Sequence, residues 1–347
     1  MEELIVAMKH THKKVILNIG DSSTSGWESN IVTQNRERRL RGMPLMPAFF
    51  QYKTYSDCLR DRVGDEYMVI NAGVPAHTSL QGLRRLLLLL QRFQTEHLPI
   101  HWVTAYYGNN DSVWDHNRQD KEWVGRKRLA LFDWLSQRFR RTDASVITRV
   151  AAADYKMHLQ EIVRVCQHCT PNQQQDIGIM LIEPLTPLYW KPGTRVLHED
   201  LERKNYPGSP HVYTLLDEAR ALWSQALQHE AYSHLKRTVL EEAREKDYIV
   251  PRIKRGHLAA LHSVIQEMEV PYIQIDLDRS ESDSRYFVDY CHPIHEPNQL
   301  IADEIAVIVS GKSSGKEHFL IEQHDSIVTT EASGVMLECP TEHYTLY

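Results

Sequence analysis

Val15-Ile16-Leu17-Asn18-Ile19-Gly20-Asp21-Ser22-Ser23-Thr24-Ser25-Gly26 is the stretch on which the fold turns. Its first half is a short apolar run ending on glycine, the pattern of a strand buried on both faces. Its second half is a cluster of small polar residues, the composition of a loop. Working outward, Phe50 to Gly64 has apolar spacing suited to a helix and a glycine stop. Glu66 to Gly73 reads as a second buried strand. Ser79 is expected to cap a helix running to about Phe93. Leu98 to Gly108 reads as a third strand, Ala153 to Cys169 as a helix, and Asp176 to Leu185 as a fourth strand. A helix over Leu258 to Met268, a fifth strand over Val270 to Leu277 and a closing amphipathic helix over Asn298 to Ser310 complete the pattern.

Strands alternating with helices at this spacing predict a parallel sheet covered on both faces. The fold class is therefore α/β, a three-layer α/β/α arrangement with about five strands in the flavodoxin-like order 2-1-3-4-5. Two long interruptions break it: Glu28 to Phe49 after the first strand, and Trp190 to about Arg255 after the fourth. The second is mostly helical in character and reads as a cap or hairpin; about 65 residues is small for independent folding. The expected organisation is one domain over 1–316, with the insertion at about 190–255, and a polar tail over 317–347.

Composition narrows the class. The 347 residues are 42% hydrophobic and 25% charged, near the globular average, which excludes global disorder, collagen and coiled coil. A net charge of −6, from 40 basic and 46 acidic residues, gives no reason to expect a nucleic-acid partner. The longest leucine run is Leu86 to Leu90, flanked by Arg84, Arg85 and Gln91, far short of the ~20 apolar residues that span a membrane. The start places acids before its apolar stretch and bases after it, the reverse of a secretory signal, so a cytoplasmic location is expected. Five cysteines make no disulfide scaffold. Cys166 and Cys169 end a helix and lack a second pair, so they read as reduced packing thiols. His292 and His295 are three apart on a proline-containing loop, a weak metal signal. Neither a metal nor an organic cofactor is expected.

Unusual residues follow the strands: Gly20-Asp21-Ser22 after the first, Asn71-Ala72-Gly73 after the second, Gly108-Asn109-Asn110-Asp111 after the third, and Asp289-Tyr290-Cys291-His292-Pro293 after the fifth. In a parallel sheet the carboxyl ends share one edge, where ligands bind. That edge thus gathers a serine, a glycine amide, an asparagine amide and an Asp/His pair, the parts of a serine hydrolase.

These blocks resemble the SGNH, or GDSL-type, hydrolase family, whose four ordered blocks supply Ser, Gly, Asn and His. Gly20-Asp21-Ser22 matches its first block and Gly73 its second. Gly108, Asn110 and Asp111 match the third, and Asp289, His292 and Pro293 the last. They span Gly20 to about Ala306, with Ser23 in place of the nominal leucine. The resemblance implies Ser22 as nucleophile, His292 as base and Asp289 as its orienter. It implies an oxyanion hole from the Ser22 and Gly73 N–H groups and the Asn110 amide. The implied activity is cleavage of an acyl or acetyl ester of a small molecule, lipid or carbohydrate. An acyltransferase using the same acyl-enzyme, or a non-catalytic binding protein with Ser22 and His292 out of reach of each other, are the alternatives.

Taken singly, each residue has a bland reading. Ser22 suits a helix cap or turn, Gly73 a turn with positive φ, Asn110-Asp111 an Asx-turn, and Asp289 a cap. Asp21 and Asp111 read as loop scaffolding. Gly311-Lys312-Ser313-Ser314-Gly315 matches a nucleophile-elbow pattern but follows a helix rather than a strand, so it is a coincidence. For substrate contacts, Trp27, Tyr106, Tyr107 and Trp114 flank the blocks as stacking or acyl-pocket surfaces, with core packing as the alternative for Tyr106, which lies within a strand. Arg149 offers a positive group for a carboxylate or phosphate. The Glu28–Phe49 and Trp190–Arg255 segments are expected to roof the crevice, or, for the insertion, to pack merely on itself.

Overall fold

The computed structural model describes residues 2–26, 53–114, 148–168, 176–193, 210–228, 234–277 and 283–311, all within one compact unit, Met1–Ser313. Strands β1 (Lys14–Gly20), β2 (Tyr67–Asn71), β3 (Trp102–Tyr106), β4 (Gly178–Ile182) and β5 (Tyr272–Ile273) form a five-stranded sheet in the order β2-β1-β3-β4-β5. Every neighbouring pair is parallel. This is the order expected from the alternation of the sequence. The helices are α1 (Glu2–Lys9), α2 (Ser22–Ser25), α3 (Tyr55–Val63), α4 (Ser79–Thr95), α5 (Ala152–His168), α6 (Pro210–Leu227), α7 (His234–Lys246), α8 (Arg255–Met268) and α9 (His295–Val309).

Side chains alternate across a strand, so β1 feeds two cores. Val15, Leu17 and Ile19 pack with residues of α4, α5 and α8, such as Phe93, Leu159 and Val264. Ile16 packs the other way, with Leu59 of α3 and Ile301 and Ile305 of α9. Asn18 interrupts the apolar run of β1 on this second side. Its amide donates to Ser56 Oγ at 2.9 Å and its Oδ1 accepts from Thr104 Oγ1 at 2.8 Å. Tyr55 Oη bonds Thr104 at 3.3 Å and Thr24 at 3.2 Å. A buried amide needs such partners, and here the chain of partners ends on α2, the helix that carries Ser22.

Several boundaries differ from the sequence reading, each for a local reason. The chain's start folds as α1, whose Ile5 and Met8 join the first core. Thr78, not Ser79, is the N-cap of α4, its N–H donating to Gln81 Oε1 at 3.0 Å. Ser79 instead donates through N and Oγ to Asp111 Oδ1, at 2.9 and 2.6 Å. β5 is two residues long because it pairs only with β4, and the register Ile182↔Ile273 brings that partner to its end. α9 starts at His295 and takes Pro297 in its first turn, where a missing N–H costs no helical bond.

The insertion leaves the carboxyl end of β4 and folds as α6 and α7, packed on each other. Leu216 and Tyr213 of α6 bury against Trp114 and Ile249, and Trp223 and Ala226 against Leu188 and Leu240. Its return is fixed by buried charge. Arg252 pairs with Asp247 at 2.8 Å with both side chains about fully enclosed, 1% and 0% exposed. Lys254 Nζ donates to the carbonyls of Arg244 and Asp247, at 2.5 and 2.6 Å, where a cation suits the negative end of α7. Among the described residues, no helix is long and apolar enough to cross a membrane.

Candidate active site

The turn after β1 is built to present Ser22. Asp21 caps α2 and accepts from Ser23 N at 2.9 Å, and Gly26 ends the helix at φ 74°, its N–H bonding Ser22 O at 3.0 Å. Space is as decisive as hydrogen bonding. A Cβ on Gly20 would meet Thr24 Oγ1 at 1.9 Å, and one on Gly73 would meet Ser25 N at 2.5 Å. Gly73 is thus required by close approach of the β2 loop to α2. It is not one of the glycines with positive φ, so the turn reading of that residue does not hold.

His292 Nε2 lies 2.7 Å from Ser22 Oγ, and His292 Nδ1 lies 2.7 Å from Asp289 Oδ2. The other Asp289 oxygen accepts the backbone N–H groups of Cys291 and His292, both at 3.0 Å. The loop therefore folds around its own carboxylate, which explains the spacing of Asp289 and His292. Ser23 Oγ donates to Cys291 O at 3.3 Å and links the loop to the serine turn. An ionised carboxylate only accepts, so in the neutral ring Nδ1 carries the proton and Nε2 presents its lone pair to the Ser22 hydroxyl. Burial alone would push His292 down, but the Asp289 carboxylate, with Cys291 beside it, outweighs burial and holds the imidazole well above its usual value.

The three expected oxyanion donors surround the same turn. Asn110 Nδ2 lies 3.2 Å from Asp21 Oδ2 and 3.3 Å from His77 O. Both contacts are at the long end for hydrogen bonds. Gly73 N–H donates to Asn71 Oδ1 at 3.1 Å, while the Asn71 amide holds Thr24 O at 2.6 Å. Asp21 scaffolds the turn, as expected, and also faces His292. Burial raises its carboxyl to about 6 against the pull of Ser23, His292 and Asn110. Asp111 accepts from Ser79 at the start of α4, and Ser79 Oγ in turn bonds His158 Nδ1 at 3.0 Å. His295 turns away to Cys58 Sγ at 3.5 Å.

The substrate-contact residues fall out differently. Trp114 is buried edge-on to Tyr213, ring centroids 6.3 Å apart, and seats the insertion. Arg149 Nη1 donates to Ala76 O at 2.8 Å and Nη2 to Gln81 Oε1 at 3.4 Å, bracing the loop before α4. Trp27 and the Glu28–Phe49 segment lie outside the described residues, as do Cys169, the motif from Lys312 onward and the polar tail. The sequence reading missed Trp190 and Tyr290. Their rings meet edge-on at 6.2 Å, and Tyr290 lies tilted at 6.0 Å from His292. The root of the insertion thus forms an aromatic wall beside the imidazole. The available signal was the place of Tyr290 between Asp289 and His292.

No protein-family model matches the chain, and no curated protein does. Among solved structures it is similar to a carbohydrate acetylesterase family member from Sinorhizobium meliloti, at 12% identity and TM-score 0.42, over 86% of this chain and 98% of that one. It is also similar to AlinE4, an SGNH-hydrolase family esterase, at 13% identity and TM-score 0.33, over 88% and 99%. The psychrotrophic esterase EstA from Pseudoalteromonas sp. is similar at 13% identity and TM-score 0.33, over 86% and 98%.

Proposed function

We propose that this chain is a serine ester hydrolase of the SGNH type, acting on an acyl or acetyl ester of a small molecule, lipid or carbohydrate. The observation that carries the reading is the unbroken Ser22–His292–Asp289 relay, two contacts of 2.7 Å. A non-catalytic member of the same fold has no need to hold a hydroxyl on the free nitrogen of a carboxylate-oriented imidazole.

Chemically, His292 Nε2 takes the Ser22 proton as Oγ attacks the ester carbonyl. Asp289 stabilises the imidazolium that forms and keeps its own charge. The developing oxyanion takes donors from Ser22 N–H, Gly73 N–H and the Asn110 amide, displacing the Gly73 contact to Asn71 Oδ1 and the long Asn110 contacts to Asp21 and His77. His292 then returns the proton to the leaving alcohol, and water repeats the sequence to release the acid. Trp190 and Tyr290 form one side of the substrate pocket, so the insertion contributes to ester choice from its root. Fluorophosphonate labelling with p-nitrophenyl acetate turnover tests the reading. Wild type is expected to label and turn over, and Ser22→Ala to lose labelling and roughly 10⁴-fold or more in turnover. Labelling that persists in Ser22→Ala moves the nucleophile elsewhere, and product analysis with added alcohols separates hydrolysis from acyl transfer.

A further inference from the structure

Ser79, Asp111 and His158 form a second serine–histidine–aspartate cluster, used by no step above. All three are buried where the start of α4, the loop after β3 and α5 meet. The proton runs the opposite way from that at Ser22. Ser79 Oγ lies 2.6 Å from Asp111 Oδ1, the length of a hydroxyl donating to a carboxylate. A hydroxyl has one proton, so the Ser79 oxygen accepts from His158 Nδ1–H, 3.0 Å away. With its proton committed to a carboxylate, Ser79 is not activated as a nucleophile. We propose instead that Ser79 and His158 are positioning residues for the oxyanion donor Asn110, acting through Asp111. The kinetic consequence rests on the hydrolase reading; the placement of the Asn110 amide does not.

The amide of Asn110 does not aim itself. Its contacts to Asp21 Oδ2 and His77 O, at 3.2 and 3.3 Å, are long and weakly restrain it. Its direction is set by where the backbone places it, and the next residue holds that backbone firmly. Asp111 Oδ1 accepts both Ser79 N and Ser79 Oγ, at 2.9 and 2.6 Å. Asn110 and Asp111 thus meet the same end of α4, at His77 and Ser79. Two attachments there fix the tilt of the loop as well as its distance. The charge suits the place: Ser79 is the first residue of a 17-residue helix, whose positive end favours a carboxylate. His158 completes the device by holding the Ser79 hydroxyl in the one orientation that serves Asp111.

Other bonds keep the loop folded without this cluster. Asn109 Oδ1 accepts Ile253 N at 3.0 Å, Ser112 Oγ donates to Gly108 O at 2.6 Å, and Asp111 O accepts Val150 N at 3.0 Å. Loss of the Ser79 hydroxyl should therefore re-aim the loop rather than release it. A donor displaced by an ångström can cost about 10²-fold in rate, and a smaller shift costs less.

The test is a double-mutant cycle of Ser79→Ala and Asn110→Ala in the full chain, with p-nitrophenyl acetate as substrate. Ser79→Ala keeps the N–H that Asp111 accepts and suits a helix. It should lower kcat about tenfold and leave KM unchanged. In the Asn110→Ala background, where no amide is left to aim, the same change should cost less than about twofold. An equal loss in both backgrounds, no loss in either, or a loss confined to KM overturns the positioning role. His158→Phe keeps a ring and removes the donor; it takes the place of Ser79→Ala should that variant not fold, with the same non-additivity expected. Placement is read directly by selective 15N labelling of asparagine, the Asn110 side-chain amide being the resonance missing from Asn110→Ala. Ser79→Ala should shift that resonance, and a resonance that stays in place overturns the proposal. A wild type without turnover overturns the hydrolase reading instead, and the amide resonance then still decides the positioning.

Discussion

Two buried charged clusters sit at the same edge of the sheet, and they are built to opposite ends. In the crevice, Asp21, Asp289 and His292 are arranged so that one relay points at a single hydroxyl, Ser22 Oγ. In the anchor of the insertion, Arg252 closes on Asp247, and Lys254 closes on two backbone carbonyls. Both clusters perturb ionisation: burial raises Asp21 to about 6 and lowers Lys254 to about 7. A shifted titration therefore does not by itself locate chemistry. What separates the clusters is whether the last group in the chain of contacts is a backbone carbonyl or a nucleophile.

The largest effect that follows from this contrast is expected at Asp289. Asp289→Asn keeps the shape of the loop but removes the carboxylate that fixes the Nδ1–H tautomer, and turnover should fall by about 10⁴. The pH profile supplies the sharper readout. His292 works only when neutral, so kcat/KM of the free protein falls as pH drops through its raised pKa. With Asp289 neutral, burial is left to push His292 down, and the acid limb should move to lower pH. Asp21, near 6, and Cys291, pushed up to about 12, also face the ring; neither is altered in this variant. An acid limb that stays in place would remove Asp289 from the relay.

Next in size is the anchor. Arg252→Ala leaves the Asp247 carboxylate buried without its ion-pair partner, which typically costs about 3–5 kcal/mol. The denaturant midpoint should drop accordingly, while kcat per folded molecule stays near wild type. A selective loss of kcat with unchanged stability would mean that the two clusters are not the separate devices described above.

Asn110→Ala should come third. It removes an oxyanion donor and is expected to cost about 10²–10³ in kcat with little change in KM. Because the Asn110 contacts to Asp21 and His77 are long, the stability change should be small beside the kinetic one.

The crevice was legible in sequence because its parts are local. Gly20-Asp21-Ser22 and Asn110 each sit within a few residues of a strand end, Asp289 and His292 share one short loop just before α9, and the parallel sheet does the assembling. The order of the sheet was legible for the same reason. What stayed hidden depends on distant partners. The Trp190–Tyr290 wall joins residues a hundred positions apart through ring contact alone. Lys254 looks like any solvated lysine until the end of α7 is seen above it. Ser79 reads as a cap because its true partner, Asp111, lies on another loop. Trp114 reads as a substrate surface until Tyr213 covers it.

Arg149 offers the smallest expected effect and tests where the contrast draws its line. It lies near the crevice, and from sequence it suits an anionic substrate group. In the fold its guanidinium donates to Ala76 O and Gln81 Oε1, so it behaves like the cations of the anchor, closing backbone. Its reach to the chemistry is indirect, through the loop whose next carbonyl, His77 O, meets Asn110. Arg149→Ala should therefore lower stability by about 1 kcal/mol, the usual net worth of such a hydrogen bond. It should lower kcat several-fold at most and leave KM the same for neutral and anionic esters. A KM that rises for anionic esters alone would make Arg149 a substrate contact, and would show that a cation at this edge can serve backbone and ligand together.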